Sequence, residues 1–161
     1  MSANNELPHG FKLLALWGLV FVAVFLGVLA FQHHQEAMRL QLNAGRILLQ
    51  REPDGHFHWR GKVNGVAVEF LVDTGATSTA LPQALAEQAG LEREGAVQSQ
   101  TAGGVVRGYR SRADIALVGG ISAVRLPVTV LPELSAPLLG MDLLGKLRFS
   151  QHDGMLSIEP P

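Results

Sequence analysis

One short stretch of this sequence has the residue types and spacing of a catalytic turn. Residues 70–72 are apolar and β-prone, and they are followed directly by Asp73, Thr74, Gly75 and Ala76. A carboxylate at the end of a strand is held by a rigid sheet, which is a good place for a reacting group. Asp-Thr-Gly is also a common turn sequence, so this stretch alone leaves a purely structural role for Asp73 open.

Two further segments accompany this turn in a fixed order along the chain. The first is a turn-prone tetrapeptide between β-prone runs, made of Thr101, Ala102, Gly103 and Gly104. The second is an apolar pair with a glycine, followed by Met-Asp-Leu-Leu, and it begins with Leu138, Leu139 and Gly140. An ordered set of motifs is more specific than any one of its members.

Together these three segments resemble the retropepsin-like (retroviral-type) aspartic proteases, in particular their membrane-anchored, single-domain bacterial branch. The resemblance covers residues 48–159. It implies a mainly β protein built on a small closed β-barrel with two short helices. It also implies a hydrolase that cuts peptide bonds without a metal or other cofactor.

The resemblance implies a role for each residue of the turn. Asp73 matches the catalytic aspartate, and Thr74 matches the residue whose hydroxyl ties the two active-site loops of a dimer together. Gly75 matches the position where the backbone passes close to the carboxylates, and Ala76 completes the motif.

The resemblance also implies roles for the other two segments. Leu138 and Leu139 match an apolar stretch that packs beneath the active-site loop, and Gly140 admits the close approach of that loop. Residues 101–104 fall where these proteases carry the flap, the hairpin that closes over a bound peptide. The flap is expected to contact substrate, and the 138–140 segment is expected to give structural support.

The chemistry of this route requires two carboxylates that share one proton around a water molecule. The ionised carboxylate takes a proton from the water, and the protonated one donates to the carbonyl oxygen of the peptide. The chain has one Asp-Thr-Gly and no internal repeat, and its other aspartates lie in contexts that do not match: Asp54, Asp114, Asp142 and Asp153. We therefore predict a symmetric homodimer in which each copy supplies one Asp73.

Residues 13–31 are uncharged and apolar, and at 1.5 Å per residue they span about 28 Å, close to the thickness of a bilayer core. We predict one transmembrane helix here, after a short tail at 1–12 and before a juxtamembrane linker at 32–45. A cleaved signal peptide is the rival interpretation, but its apolar region is shorter and ends at a small-residue site. We expect an uncleaved signal anchor.

The orientation of this anchor is set by opposing signals. Positive residues are more numerous just after the apolar run than before it, which opposes export, but large domains cross largely regardless of local charge. We expect a bacterial inner-membrane protein with its protease domain in the periplasm. In the linker, Ala37, Leu40 and Ala44 fall on one possible helical stripe, which predicts either a short paired stalk or the end of the membrane helix.

The remaining chain, residues 46–161, is punctuated by turn signals at short intervals, which indicates a small β-barrel or sandwich. The predicted strands are 46–51, 56–63, 66–73, 105–118, 121–131, 148–151 and 155–159. Two short helices are predicted at 82–89 and 143–147, the second with Asp142 as its N-cap.

Composition excludes several other functions. The sequence has 13 basic and 14 acidic residues, so it lacks the positive field that nucleic-acid binding requires. It has no cysteine, which excludes thiol nucleophiles and thiolate metal sites. His56 and His58 are expected on one strand face, but no third ligand lies nearby in sequence, and no metal site is expected.

The favoured function is a membrane-anchored aspartic endopeptidase, dimeric, acting on a peptide or protein substrate that lies as an extended strand under the flap. The alternative is a catalytically inactive, membrane-tethered module that binds peptides or acts as a scaffold on the same barrel. A third interpretation is a tethered β-domain in which the motifs are accidental. The intact Asp73 turn argues against the inactive module.

Overall fold

The computed structural model describes residues 17–28, 39–42, 45–101 and 103–159. The chain divides into two compact units, Met1–Ala37 and Met38–Pro161. In the first unit, residues 17–28 are helical and their side chains are exposed. None of the helices in the described ranges is both long and apolar enough to cross a membrane. Both ends of the apolar run predicted as an anchor lie outside the described residues.

The second unit is mainly β. Its strands are β1 (Arg39–Leu42), β2 (Ile47–Gln50), β3 (His58–Val63), β4 (Val66–Val72), β5 (Ala80–Pro82), β6 (Gly95–Thr101), β7 (Gly104–Leu117), β8 (Ile121–Leu131), β9 (Leu138–Leu139), β10 (Arg148–His152) and β11 (Met155–Glu159). Its two helices are α1 (Gln83–Gln88) and α2 (Met141–Leu144).

Six strands close into a barrel. The order β8-β5-β9-β4-β3-β7 is continuous, and β7 pairs with β8 to complete the ring, while β1 and β6 add to its outside. Side chains alternate inward and outward along these strands, so the barrel interior is filled by residues such as Trp59, Phe70 and Leu126. Of the barrel and the sandwich that the sequence allowed, the structure is the barrel.

A separate three-stranded sheet has the order β10-β11-β2. One face of β2 and β11, which includes Leu49, Leu156 and Ile158, packs on the main core. All five residues of β10 are exposed, and the strand lies at an edge with β11 on one side only. Phe149 on this strand is 39% exposed.

The helices differ in detail from the prediction. Helix α1 begins after Pro82, close to where the sequence placed it. Helix α2 covers Met141–Leu144 rather than 143–147, and its N-cap is Gly140. The predicted N-cap role of Asp142 is wrong, because Gly140 holds that position and the Asp142 carboxylate accepts hydrogen bonds from Thr79, the residue directly before β5. The helical stripe expected through Leu40 is also wrong, since that residue pairs with Ala123 of β8 in a strand.

Candidate active site

Asp73 is held at the end of β4 by its neighbours on both sides. The backbone N–H of Val72 donates to the carbonyl of Phe57 at 2.9 Å, and the N–H of Asp73 donates to the carbonyl of Leu139 at 3.1 Å. These bonds fix the backbone at the carboxylate to β9 and to the residue directly before β3. The side chain is partly exposed, so it can reach a ligand.

The turn after Asp73 orients its carboxylate. The Gly75 N–H donates to Asp73 Oδ1 at 2.8 Å, and the Ala76 N–H donates to the Asp73 carbonyl at 3.2 Å. A Cβ placed on Gly75 would lie 3.1 Å from Oδ1, closer than nine in ten real Cβ contacts. A glycine here lets the backbone amide approach the carboxylate. Thr74 is exposed beside it, where its hydroxyl is accessible to a second chain.

The Leu-Leu-Gly segment lies directly beside this turn. Leu138 and Leu139 of β9 pair in parallel with the last residues of β4, and Leu139 is fully buried. A Cβ on Gly140 would lie 2.5 Å from the backbone carbonyl carbon of Ser78, so no larger residue fits without movement. The structure therefore brings the first and last sequence motifs together.

One pair of residues at this site was not recognised from the sequence. The Asp142 carboxylate accepts hydrogen bonds from the Thr79 N–H at 2.9 Å and from Thr79 Oγ1 at 2.8 Å. Thr79 is fully buried, and its Oγ1 also accepts from the Gly140 N–H at 3.3 Å. An aspartate before a leucine pair looks like a helix cap, and its true partner is 63 residues away, so no local signal identifies the contact.

The predicted flap tetrapeptide lies at the tip of the β6–β7 hairpin. Thr101 pairs with Gly104, and Thr101 Oγ1 donates to the Gly104 carbonyl at 2.8 Å. Gly104 has a φ of +113°, a conformation that favours glycine. Gly103 lies in the turn, and Ala102 lies outside the described residues. The hairpin predicted around this tip is present. It is formed by β6 and β7, whereas the Asp73 turn follows β4, so the two motifs belong to different strands of the sheet.

A cavity of about 460 Å³ opens beside Asp73. Its walls come from the Asp73 turn, from the segment before β3 and from the β10–β11 hairpin, and they include Asp73, Thr74, His56, Phe57, Phe149 and Ile158. Both polar and apolar residues line the cavity, and Asp73 is among the polar ones. A concave pocket that combines apolar lining with a few polar groups is a candidate ligand site.

The two histidines do not share a strand face as predicted. His56 lies in the turn before β3, and His58 is the first residue of that strand. His58 Nε2 lies 2.8 Å from Asp54 Oδ2, and this hydrogen bond raises the pKa of His58 above its usual 6.5. The hydrogen bonds from the His56 N–H and then from His58 lower the pKa of Asp54. Across the described residues no three side chains of metal-ligating type cluster together.

Comparison with known proteins agrees with this geometry. The profile of the family described as gag-polyprotein putative aspartyl protease matches residues 59–146, which include the Asp73 turn, the hairpin tip and the Leu-Leu-Gly segment. The crystal structure of a retropepsin-like aspartic protease from Rickettsia conorii superimposes with a TM-score of 0.59 at 25% identity. That match covers 76% of this chain and 94% of the solved chain.

Two curated relatives carry no described activity. The uncharacterized protein RP867 of Rickettsia prowazekii is 31% identical over 90 residues, which is 49% of this chain and 39% of that protein. An uncharacterized protein encoded in the cobV 5' region of Sinorhizobium is 26% identical over 94% of this chain and 73% of its own length. The match thus spans well under half the length of the first relative.

The chain belongs to the gag-polyprotein putative aspartyl protease family, and its barrel is of the retropepsin-like type.

Proposed function

We propose that this protein is an aspartic endopeptidase, anchored in a membrane by residues 13–31, in which two copies of Asp73 activate a water molecule. The observation that carries the proposal is the placement of Asp73. Its carboxylate stands at a strand end in a retropepsin-like barrel, with Oδ1 held by the Gly75 amide and a cavity beside it. The chain shares its fold with the aspartyl protease family. Hydrolysis of peptide bonds is the activity that we propose for it.

The reaction follows from two such carboxylates facing one another. One is ionised and accepts a proton from the water, whose oxygen attacks the peptide carbonyl carbon. The other is protonated and donates to the carbonyl oxygen, which gives a neutral tetrahedral intermediate. The first carboxylate then gives its proton to the departing nitrogen while the second takes a proton from a hydroxyl of the intermediate, so the C–N bond breaks and the pair again holds one proton. Because two like charges about 3 Å apart cannot both ionise, the pair shares one proton and works best in acid.

A homodimer is required by this chemistry, since each chain offers one Asp73 in a matching context. Two surface features support a second copy as partner. Thr74 is exposed next to Asp73, and β10 lies at the edge of its sheet with Phe149, 39% exposed, lining the same cavity. Antiparallel pairing of β10 with its counterpart would extend the three-stranded sheet to about six strands.

The substrate proposed for this site is an extended peptide or protein segment. Such a segment would lie between the Asp73 turn and the β6–β7 hairpin, with its backbone hydrogen-bonding as an added strand. Thr101, Gly103 and Gly104 at the hairpin tip are the substrate contacts proposed for the described part of the flap, and Ala102 completes the tip in sequence. No cofactor is required for this chemistry.

The membrane anchor and the location are proposed from the sequence. Residues 13–31 carry no charged side chain over about one bilayer thickness, which supports a single-pass signal anchor in a bacterial inner membrane with the protease domain in the periplasm. Deleting residues 13–31 should release the protein from the membrane fraction. Protease added to right-side-out vesicles should digest the β domain, and protection of that domain would contradict this orientation.

The alternative is an inactive membrane-tethered module that binds peptides without cutting them. The oriented Asp73 carboxylate favours the enzyme, because a binding module does not need it. The experiment is to incubate the full-length protein in detergent with a diverse peptide library at several pH values, beside an Asp73→Asn control. Cleavage that is present in the wild type and absent in the variant supports the endopeptidase, and binding without cleavage would support the module.

A further inference from the structure

A tight turn before β3 forms one wall of the Asp73 cavity. Gly55, His56 and Phe57 line the cavity together with Asp73 and Thr74. The turn is closed by backbone hydrogen bonds, and His56 is exposed on it. The imidazole of His56 therefore stands on the rim of the site that holds the carboxylate.

This turn is coupled to the strand that carries Asp73. The carbonyl of Phe57 accepts a hydrogen bond from the Val72 N–H at 2.9 Å, one residue before the aspartate. Phe57 is buried in the main core, so its position is fixed by packing as well. This bond therefore joins the end of the turn directly to the strand end that carries Asp73.

One carboxylate holds the turn in place. Asp54 Oδ1 accepts a hydrogen bond from the His56 N–H at 3.0 Å, and Asp54 Oδ2 lies 2.8 Å from His58 Nε2. His58 sits on β3, opposite Leu71 of β4, and so belongs to the rigid barrel. The Asp54 carboxylate thus connects the turn to the sheet, and we call this connection the Asp54 brace.

We propose that Asp54 and His58 are positioning residues for the Asp73 site: charged His58 holds the turn, and with it His56, against the cavity in acid, and the hold weakens as His58 loses its proton. This inference rests on the proposed proteolytic function, because it assigns a pH-dependent control to the same site. It adds to the acid preference of the aspartate pair and does not replace it.

The surroundings of His58 favour its charged form. The hydrogen bond to Asp54 raises the pKa of His58, partial burial works in the opposite direction, and the charges of Asp54, Glu52 and Glu69 raise it further. Glu69 on β4 is itself paired with Arg60 at 3.3 Å, which weakens its effect on His58. The charged pair with Asp54 therefore persists to a pH above the ordinary titration of histidine.

The test compares the full-length wild type in detergent with Asp54→Asn and with His58→Gln, using one cleaved peptide from about pH 4 to about pH 9. The measured quantity is the ratio of wild-type to variant kcat/KM at each pH, in which any pH dependence common to both proteins cancels. We expect a ratio of about 1.5 to 5 in acid, the range of a partly exposed ion pair, falling to about 1 once His58 is neutral.

Two measurements on the same proteins do not depend on activity. The imidazole of His58, followed by NMR, should titrate at lower pH in Asp54→Asn than in the wild type. The amide of His56 should exchange its hydrogen faster in that variant, because its acceptor has lost its charge. Asp153→Asn is the matched control, since it removes the carboxylate of an exposed His–Asp pair at the β10–β11 turn, which does not line the cavity.

The outcomes separate the two claims. A ratio that does not change with pH, or equal titration of His58 in the wild type and in Asp54→Asn, would contradict the positioning role of Asp54 and His58. Neither result would contradict the proposed proteolytic function. A pH-dependent ratio for Asp153→Asn as large as that for Asp54→Asn would also contradict the positioning role. If the wild type shows no cleavage that depends on Asp73, the proposed function fails, and the NMR and exchange results still decide whether the brace exists.

Discussion

The carboxylate of Asp142 bonds to both polar groups of Thr79, its backbone N–H at 2.9 Å and its hydroxyl at 2.8 Å. Thr79 leads into β5, and Asp142 lies in the first turn of α2. The contact therefore joins the start of α2, which follows the Leu-Leu-Gly segment, to the residue directly before β5. Because Thr79 is fully buried, both of its donors depend on this one carboxylate for a partner.

Substitution of Asp142 by asparagine should destabilise the domain. One side of the new amide presents an N–H group to a buried N–H or O–H donor of Thr79, so one hydrogen bond is lost and a donor is left unsatisfied. The expected loss in the free energy of unfolding is about 1–3 kcal/mol. Urea unfolding measures it, and Asp114→Asn, whose carboxylate accepts the exposed Arg125 N–H, should cost less. Equal losses in the two variants would contradict the buried role of Asp142.

Substitution of Gly140 by alanine should disturb the active-site loop by steric overlap. The added Cβ would lie 2.5, 2.7 and 2.8 Å from backbone atoms of Ser78 and Thr79, which cannot rotate away. We expect a loss of about 1–3 kcal/mol in the free energy of unfolding and a fall in kcat. Gly45→Ala is the control, because nothing lies within 4 Å of its Cβ position. If Gly140→Ala unfolds at the same urea concentration as the wild type, the close approach is not real.

Prediction from sequence succeeded where the signal is local. Strands β8 and β11 have the bounds that alternation and turn residues indicated. Strands β5 and β9 are two or three residues long and exist because the barrel pairs them with distant partners, so no local pattern reveals them. β6 was missed because its polar alternation of Gln and Ser resembles a loop.

The candidate site divides in the same way. The Asp73 turn and the Leu-Leu-Gly segment follow from motifs that each lie within a few residues. The partners of Asp142 and His58 depend on which loops the fold brings together. Asp142 bonds to a residue 63 positions away, and Asp54 meets His58 only because the chain turns back before β3. Side-chain pairing across turns was therefore not predictable from residue spacing.

The stability of the domain should show a pH dependence from the Asp54–His58 pair. Because the pKa of His58 is raised in the folded protein, His58 contributes fully to the free energy of unfolding below about pH 6.5. This contribution is lost as the pH rises through the pKa of His58 in the folded protein. Because the pKa of Asp54 is lowered in the folded protein, Asp54 contributes fully to the free energy of unfolding above about pH 3.8. This contribution is lost as the pH falls through the pKa of Asp54 in the folded protein. The pair therefore contributes most between these limits.

The measurement is the urea midpoint of the wild type and of Asp54→Asn as a function of pH. The difference between the two midpoints should be greatest at mildly acidic pH and should shrink on the alkaline side. A difference that grows above neutral pH would contradict the sign of the His58 shift.

Self-association should use the edge of β10. The chain has no cysteine, so Ser150→Cys at the middle of that strand introduces a single thiol. Antiparallel pairing of two copies centred on this residue places the two Cα atoms about 4.5–5.5 Å apart, within the range of a disulfide. We expect oxidation to give a covalent dimer whose activity no longer falls on dilution, and reduction to restore that fall.

The control for this experiment is Gln98→Cys, an exposed residue of β6, which lies at an edge of the barrel sheet rather than of the three-stranded sheet. It should cross-link slowly and leave the dilution behaviour unchanged. Efficient cross-linking through Gln98→Cys, together with none through Ser150→Cys in an active preparation, would contradict the prediction that two copies meet along β10.

The most direct measurement of the central claim is hydrolysis by mixed dimers. Wild-type chains are exchanged with increasing amounts of Asp73→Asn chains, and activity is measured per wild-type chain. If each site needs two Asp73 carboxylates, random pairing makes this activity proportional to the wild-type fraction, so it falls to about a half at equal amounts and to about a tenth at a ninefold excess. Activity per wild-type chain that stays constant at every ratio, in a preparation shown to exchange subunits, would mean that each chain holds a complete site and would contradict the account.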